Sequence, residues 1–217
     1  MIPDAIQKFV DVFSKLPSLG PRAATRLAFH LVGLDKSAFE ALAAGLGGLK
    51  NLDRCPRCFF LKERREKACA ICASPGRNAR AIAIVEKDTD ILSLERTGKW
   101  KGHYLVFGEL PERGVLETSH KLRLVTLEKR IESEFGGTVD ELVIALNPTT
   151  FGDFAAGLIM ESFKEKAAKI SRLGRGIPTG GEIEFADDET LGSALDRRNK
   201  TFVNSTVVNR CRWVLSF

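Results

Sequence analysis

Four cysteines lie close together in residues 55–72, which read CPRCFFLKERREKACAIC. They form two Cys-x2-Cys pairs separated by ten residues, and this spacing places four thiolates on two tight knuckles around one tetrahedral metal ion. A redox dithiol is the alternative for CPRC alone, but the second pair and the lack of a preceding buried strand argue against it. We therefore predict one structural Zn²⁺ per chain, bound by Cys55, Cys58, Cys69 and Cys72.

The cysteines lie in a basic part of the chain. Residues 54–80 contain eight Lys and Arg against two Glu, whereas the whole chain of 217 residues has a formal net charge of +5. Four thiolates and one zinc ion add about two negative charges, so the segment stays positive. Such a patch favours a polyanion, while the acidic residues 182–189, EIEFADDE, could favour a basic protein surface.

Composition indicates the class of protein and its compartment. The chain is 44% hydrophobic, which is ordinary for a globular core, and nowhere do eighteen apolar residues run together. Its first residues, MIPDAIQKFVDVF, carry acids and a helical period, unlike an export signal. We therefore expect a soluble, cytoplasmic protein, in which four clustered cysteines bind metal and Cys211 is a buried, inert thiol.

The first thirty residues indicate two helices joined by a tight hairpin. Apolar residues recur at helical spacing in 6–16, LPSLGPR interrupts them, and RAATRLAFHLV resumes the pattern. We expect Gly20 to adopt a positive φ in the turn and Pro21 to begin the second helix.

The start of the second helix has the features of a phosphate-binding site. Backbone N–H groups are unpaired there, and Arg22, Arg26 and His30 follow at intervals of four, so they share one face. Such contacts would hold a nucleic-acid backbone without reading bases. A plain helical hairpin with solvated arginines is the alternative.

LPSLGPRAATRLAFHLV resembles the helix-hairpin-helix of the RecR family of bacterial recombination mediators, whose usual form is L-P-G-I-G-P-K-x-A-x-R-L-A-F-H-L. Ser18 stands where that pattern has glycine. The resemblance implies a DNA-binding hairpin that includes Gly20 and places the two basic DNA contacts on Arg22 and Arg26.

From residue 79 onward, short apolar runs alternate with amphipathic stretches. ARAIAIVE, HYLVFGEL, ELVIALN and KISRLGRG predict strands, and helical patterns separate them. This alternation predicts a mostly parallel sheet with helices on both faces. Polar residues lie at the ends of two predicted strands: Glu86 is the last residue of the first strand, and NPTTFGD follows the third. Functional residues collect at such strand ends.

This arrangement resembles the Toprim domain, which holds Mg²⁺ with one glutamate and a later D-x-D. The matching later positions are Asn147, Thr149, Phe151 and Asp153, so Asp153 and Glu86 are the carboxylates that remain. A divalent ion in phosphoryl chemistry needs several oxygen anions, so the resemblance implies a degenerate, non-catalytic site with at most a weak Mg²⁺ site.

RecR proteins also lack the D-x-D and commonly read T-N-P-T-x-E-G-E-A-T, but Phe151 here replaces the first glutamate. Either Asp88 or Asp90 compensates, or the contact that this acid makes with a partner is weaker. For Glu86 and Asp153, capping of the following helix is the alternative to a partner or metal contact.

The last part of the chain continues the family pattern. Residues 171–198 resemble R-L-A-R-G-L-P-x-G-G-x-L-E-Y-A-D-x-x-T-L, with a predicted strand at EIEF and a helix capped by Asp187 or Asp188. No G-x4-G-K-[ST] loop occurs, so ATP hydrolysis is not expected. Residues 199–217 extend past the pattern, and their composition suggests an added strand or a subunit edge.

The predicted fold class is an α/β protein of several modules. They are a helix-hairpin-helix domain at 1–53, a four-cysteine zinc finger at 54–78, a Toprim-like domain at 79–175, and a short C-terminal α/β segment at 176–217.

The resemblance implies a non-catalytic, DNA-binding recombination mediator that forms a ring-shaped homotetramer and acts with RecO and RecF proteins to load recombinase on single-stranded DNA. One alternative is a Toprim-type Mg²⁺-dependent nuclease or nicking enzyme that uses Glu86 and Asp153. Another is a zinc-bearing RNA or protein adaptor built from the same modules.

Overall fold

The computed structural model describes residues 2–111 and 115–196. The chain forms two compact units, which divide in sequence between Arg77 and Asn78. The finer division into four domains stays a prediction.

The first unit begins with three helices: α1 (Asp4–Phe13), α2 (Pro21–Val32) and α3 (Lys36–Gly48). The predicted pair, α1 and α2, is confirmed, and these helices pack through Ile6 on one side and Ala24 and Ala28 on the other. Asp35 begins α3 because its Oδ1 accepts a hydrogen bond from the Ala38 N–H at 2.9 Å, which also lowers the pKa of Asp35.

The turn between α1 and α2 differs from the predicted one. Ser18 adopts the left-handed conformation, with φ of 63°, whereas Gly20 is extended, with φ of −74° and ψ of 169°. The expected positive φ at Gly20 is therefore wrong. The chain reverses earlier, where Leu19 N–H donates to the Leu16 carbonyl, and Gly20 must be extended because it is the N-cap residue before Pro21.

The cysteine-rich part of the first unit is built on short elements. Strands β1 (Leu52–Arg54) and β2 (Leu61–Glu63) pair antiparallel and flank the first knuckle. The second knuckle leads into a single helical turn, α4 (Ala70–Ala73).

The second unit contains a parallel sheet in the strand order β4-β3-β5-β6. The predicted strands and helices are confirmed, and they follow one another along the chain as β3 (Asn78–Val85), α5 (Asp88–Arg96), β4 (Gly102–Val106), α6 (Thr118–Phe135), β5 (Glu141–Ala145), α7 (Thr150–Phe163) and β6 (Ile170–Arg172). Because strand order reverses after β4, right-handed crossovers place α5 on one face and α6 and α7 on the other.

The middle of this sheet brings two polar strand ends together. Strands β3 and β5 are neighbours, with Val85 opposite Ala145, and the side chains of β3 are buried from Ala81 to Val85. Glu86 and Asn147, which follow these strands, therefore lie at the same edge.

Residues 182–185 do not form the predicted strand. Residues Ile183–Phe185 form a 3-10 turn, in which Phe185 N–H donates to Glu182 and Ala186 N–H donates to Ile183. A strand needs a neighbouring backbone to pair with, and none of the described strands pairs with this segment.

Helix α8 (Asp188–Asp196) follows as expected and is capped by Asp187, whose Oδ1 accepts from Thr190 N–H at 2.8 Å. The predicted extra strand in 199–217 and the predicted burial of Cys211 lie outside the described residues.

No helix in the described part of the chain has the length and apolar character needed to cross a membrane.

The strained turn predicts an unusual stabilising change. A non-glycine residue in the left-handed region costs about 1–2 kcal/mol, and glycine loses about 0.5–1 kcal/mol of this gain through the entropy of the unfolded chain. Ser18→Gly should therefore raise the free energy of unfolding of the first unit by about 0.5–1 kcal/mol, measured by urea denaturation.

Ser14→Gly is the matched control, because Ser14 ends α1 in the right-handed conformation, with φ of −66°. It should destabilise the protein by about 0.5–1 kcal/mol. Destabilisation of equal size by both changes would contradict the strained turn.

Candidate functional site

The structure brings the four predicted ligands together. Their Sγ atoms lie within 4.8 Å of one another and all four residues are buried. The sulfurs of Cys58 and Cys69 are 3.4 Å apart, much farther than in a disulfide. A tetrahedron with metal–sulfur distances of about 2.3 Å has edges of about 3.8 Å, so four cysteines in this arrangement could hold one metal ion.

Backbone hydrogen bonds shape the first knuckle. Phe59 N–H donates to the Cys55 carbonyl and Cys55 N–H donates to the Phe60 carbonyl, both at 2.8 Å. Amides also point at the sulfurs, since Cys69 N–H donates to Cys55 Sγ at 3.4 Å and Cys72 N–H donates to Cys69 Sγ at 3.5 Å. Such donors stabilise thiolates and orient them toward a shared ion.

The four sulfurs lie close enough together to influence one another's protonation. Hydrogen bonding between them lowers the pKa of Cys55 and raises the pKa of Cys58, because one sulfur holds the charge while the other keeps its proton. A divalent ion would remove this conflict, because it would bind all four as thiolates. Four protein ligands would complete its tetrahedral shell and leave no position for water or substrate.

Glu86 is buried and forms a hydrogen bond to the end of the neighbouring strand β5. It is 8% exposed, and its Oε2 accepts a hydrogen bond from Asn147 Nδ2 at 2.6 Å. It does not cap α5, because Lys87 N–H donates to Asp90 Oδ2 at 2.7 Å. Capping by Glu86 is therefore wrong, and the Asp90 carboxylate is bound at the start of its own helix.

Asp153 is held by two arginines. Its Oδ1 accepts from Nη2 of both Arg175 and Arg172, and these guanidiniums, Arg175 first, hold the pKa of Asp153 below its usual value of 3.8. Thr149 caps α7, with Gly152 N–H donating to its Oγ1 at 3.0 Å, so capping by Asp153 is also wrong. The sequence analysis missed both arginines, although SRLGRG follows the fourth strand directly.

The loop between β5 and α7 carries the remaining Toprim positions. A Cβ atom on Gly152 would lie 2.0 Å from the Asn147 carbonyl oxygen, so the loop folds tightly on itself. Phe151 is 36% exposed beside it. Within the described residues, the four cysteines are the one set of three or more His, Cys, Asp or Glu side chains that could share a metal ion.

Both basic residues of the hairpin are exposed on α2. Arg22 and Arg26 lie one turn apart, while Ala24 and Ala28 between and after them are buried. Neither guanidinium forms an ion pair with another residue in the part of the chain that the structure describes. Around Gly20 there is open space, since a Cβ atom there would meet nothing within 4 Å.

The cysteine cluster predicts the effect of removing one ligand. Structural metal sites supply about 10–16 kcal/mol to the folding of small modules, so Cys55→Ser should release the metal and unfold residues 52–73. Metal content by plasma mass spectrometry should fall from one ion per chain, and limited proteolysis should cut within this segment.

Cys211→Ser is the control and should keep one metal ion, since Cys211 is not a predicted ligand. A Cys55→Ser protein that retained its full metal content would contradict the assignment.

Comparison with known proteins places nearly the whole chain in one group. Family models match residues 6–48 (RecR, helix-hairpin-helix), 80–174 (Toprim domain) and 176–199 (RecR, C-terminal). Recombination protein RecR of Roseiflexus castenholzii is 36% identical over 203 residues, which cover 92% of this chain and 96% of the relative. Recombination protein RecR of Rubrobacter xylanophilus is 39% identical over 199 residues, which cover 90% of this chain and 96% of the relative. A chain so similar over nearly its whole length belongs to the RecR family of recombination proteins.

Proposed function

We propose that this RecR-family protein is a non-catalytic DNA-binding mediator of recombinational repair. It binds the nucleic-acid backbone in the cytoplasm and, with RecO and RecF proteins, loads recombinase on single-stranded DNA. Family membership supports the recombination role, and the observations below support the way in which the chain performs it.

The state of the two carboxylates supports a non-catalytic sheet edge. A Mg²⁺ ion engaged in phosphoryl transfer is usually held by several oxygen anions. Here the Asn147 amide donates a hydrogen bond to the carboxylate of Glu86, and the guanidiniums of Arg172 and Arg175 bind that of Asp153. A metal ion would have to displace two guanidiniums, which are permanently charged.

The exposed arginines of α2 carry the DNA-binding proposal. Arg22 and Arg26 lie near the N-terminus of α2, which begins at Pro21 after the N-cap Gly20, and there N–H groups and the helix dipole favour phosphate oxygens. These contacts leave the bases unread, so binding is independent of sequence. The basic stretch around the cysteines adds positive charge within the same unit.

We assign the metal as Zn²⁺, one ion per chain. Tetrahedral sets of four thiolates select zinc or iron–sulfur centres, and a closed site on two Cys-x2-Cys knuckles is typical of structural zinc.

Assembly and partner contacts are proposed from family membership. We propose a ring-shaped homotetramer that encloses DNA. Phe151 is exposed where the family pattern has glutamate, so the partner contact at this point is apolar and depends less on salt than an acidic contact would.

Replacement of Arg22 and Arg26 together by Ala tests the DNA contact. Each lost phosphate contact should reduce the slope of log affinity against log salt by about one, so the double variant should lose about two units of slope and at least tenfold in affinity at low salt. Fluorescence anisotropy with labelled single-stranded DNA, duplex and RNA measures both quantities.

The matched control replaces Lys121 and Lys129 by Ala. Both residues are exposed on α6, so this double substitution removes the same charge from the other unit. Its affinity should change much less. An arginine double variant that folds and binds DNA like the wild type would show that the hairpin is not the contact.

A further inference from the structure

Two large apolar side chains are exposed on the turn that precedes α8. Ile183 is 68% exposed and Phe185 is 78% exposed, and both belong to the 3-10 turn Ile183–Phe185. Among the large apolar side chains that the structure describes, Phe185 is the most exposed. An apolar patch with a polar border favours contact with another segment or molecule.

The border of this patch is acidic. Glu182, Glu184 and Asp188 are exposed and form no ion pair within the described residues. Two further acids have partners, because Asp187 caps α8 and Glu189 pairs with an arginine. We call residues 182–188 the acidic turn. A surface that is both apolar and negatively charged is complementary to a partner that is both apolar and basic.

The chain contains a segment of that composition directly after α8. Residues 197–217, which we call the basic segment, contain five Lys and Arg and no Asp or Glu. Its large apolar residues include Phe202, Trp213 and Phe217. Residues 182–189 contain five acids and no Lys or Arg, so the two parts of the chain match in charge and in apolar character.

The basic segment is long enough to meet the acidic turn of its own chain. Helix α8 has nine residues and is therefore about 13 Å long, and it separates the acidic turn from the start of the basic segment. An extended chain spans about 3.3–3.6 Å per residue, so residues 197–200 could return along the length of α8. Residues from 201 onward then reach the acidic turn, and so short a connection gives an effective concentration in about the millimolar range.

We propose that the acidic turn is the docking site of the chain's own basic segment. Lys and Arg side chains of the segment pair with Glu182, Glu184 and Asp188, and its apolar side chains cover Ile183 and Phe185. The contact is intramolecular and shields these acids from basic surfaces of other molecules. It does not depend on the proposed DNA binding.

Trypsin measures this contact, because the basic segment contains cleavage sites after Arg210 and Arg212. Proteolysis of a segment follows the fraction that is undocked. Cleavage at these two sites in the full chain should therefore be slower, by on the order of tenfold, than in a synthetic peptide of residues 197–217. The difference should shrink as salt is added and stay the same on about hundredfold dilution of the protein, because an intramolecular contact does not depend on protein concentration.

Glu182→Gln with Glu184→Gln tests the docking site. Loss of two exposed ion pairs should raise cleavage at these two sites about threefold to tenfold, up to the rate of the free peptide. Ile183→Ser with Phe185→Ser should also raise it, because the apolar part of the contact is lost. Glu161→Gln with Glu165→Gln is the matched control, since it removes two exposed acids in and just after α7 and should leave cleavage unchanged.

Cleavage of the wild-type segment at the rate of the free peptide would overturn the proposal. Protection that weakens on dilution would also overturn it, because a second copy would then be the occupant of the acidic turn. Equal rates for the acidic-turn variants and the control would place the segment elsewhere. Faster cleavage of these variants throughout the chain would show that the turn stabilises the fold, and this too would contradict a docking role.

Discussion

Four buried sulfurs within 4.8 Å of one another determine how the first unit can fold. Residues 52–73 contain two short strands and one helical turn, too little to form a core that would offset the entropy of ordering them. Their hydrogen bonds and their packing converge on the cysteines, so a metal ion bound there would take the place of a core. Such an ion would also hold the backbone that carries the basic side chains of this segment.

At the edge of the parallel sheet, the two carboxylates that match the Toprim metal ligands are bound by other side chains of the same chain. Glu86 follows β3 and is bound by the Asn147 amide, while Asp153 lies within α7 and is bound by two guanidiniums. One potential metal site is thus closed by its four ligands and the other by internal partners. This arrangement fits a protein that holds DNA without cutting it.

Much of this structure could be predicted from local patterns. The alternation between residues 79 and 175 identified every strand and helix of the sheet, and cysteine spacing identified the four ligands. Helix α3 was missed, although Phe39, Leu42 and Leu46 recur in it at helical spacing and could have predicted it. The prediction of a strand at 182–185 was wrong because strand pairing depends on a neighbouring strand that local sequence does not reveal.

Ser18, not Gly20, has the positive φ because the point of chain reversal depends on how α1 and α2 pack. The pairing of Asp153 with Arg172 and Arg175 joins residues about twenty positions apart, which no local pattern reports.

Incubation of supercoiled plasmid with the purified protein and Mg²⁺ or Mn²⁺ tests most directly whether this sheet edge has lost its chemistry. The protein concentrations should be high enough to retard the plasmid on a gel, which shows that the protein is bound. When the protein is then removed, the plasmid should still run as supercoiled DNA. Nicked or linear plasmid that forms with the wild type and disappears with Glu86→Gln would contradict the account, because the carboxylates would then be holding a working metal ion.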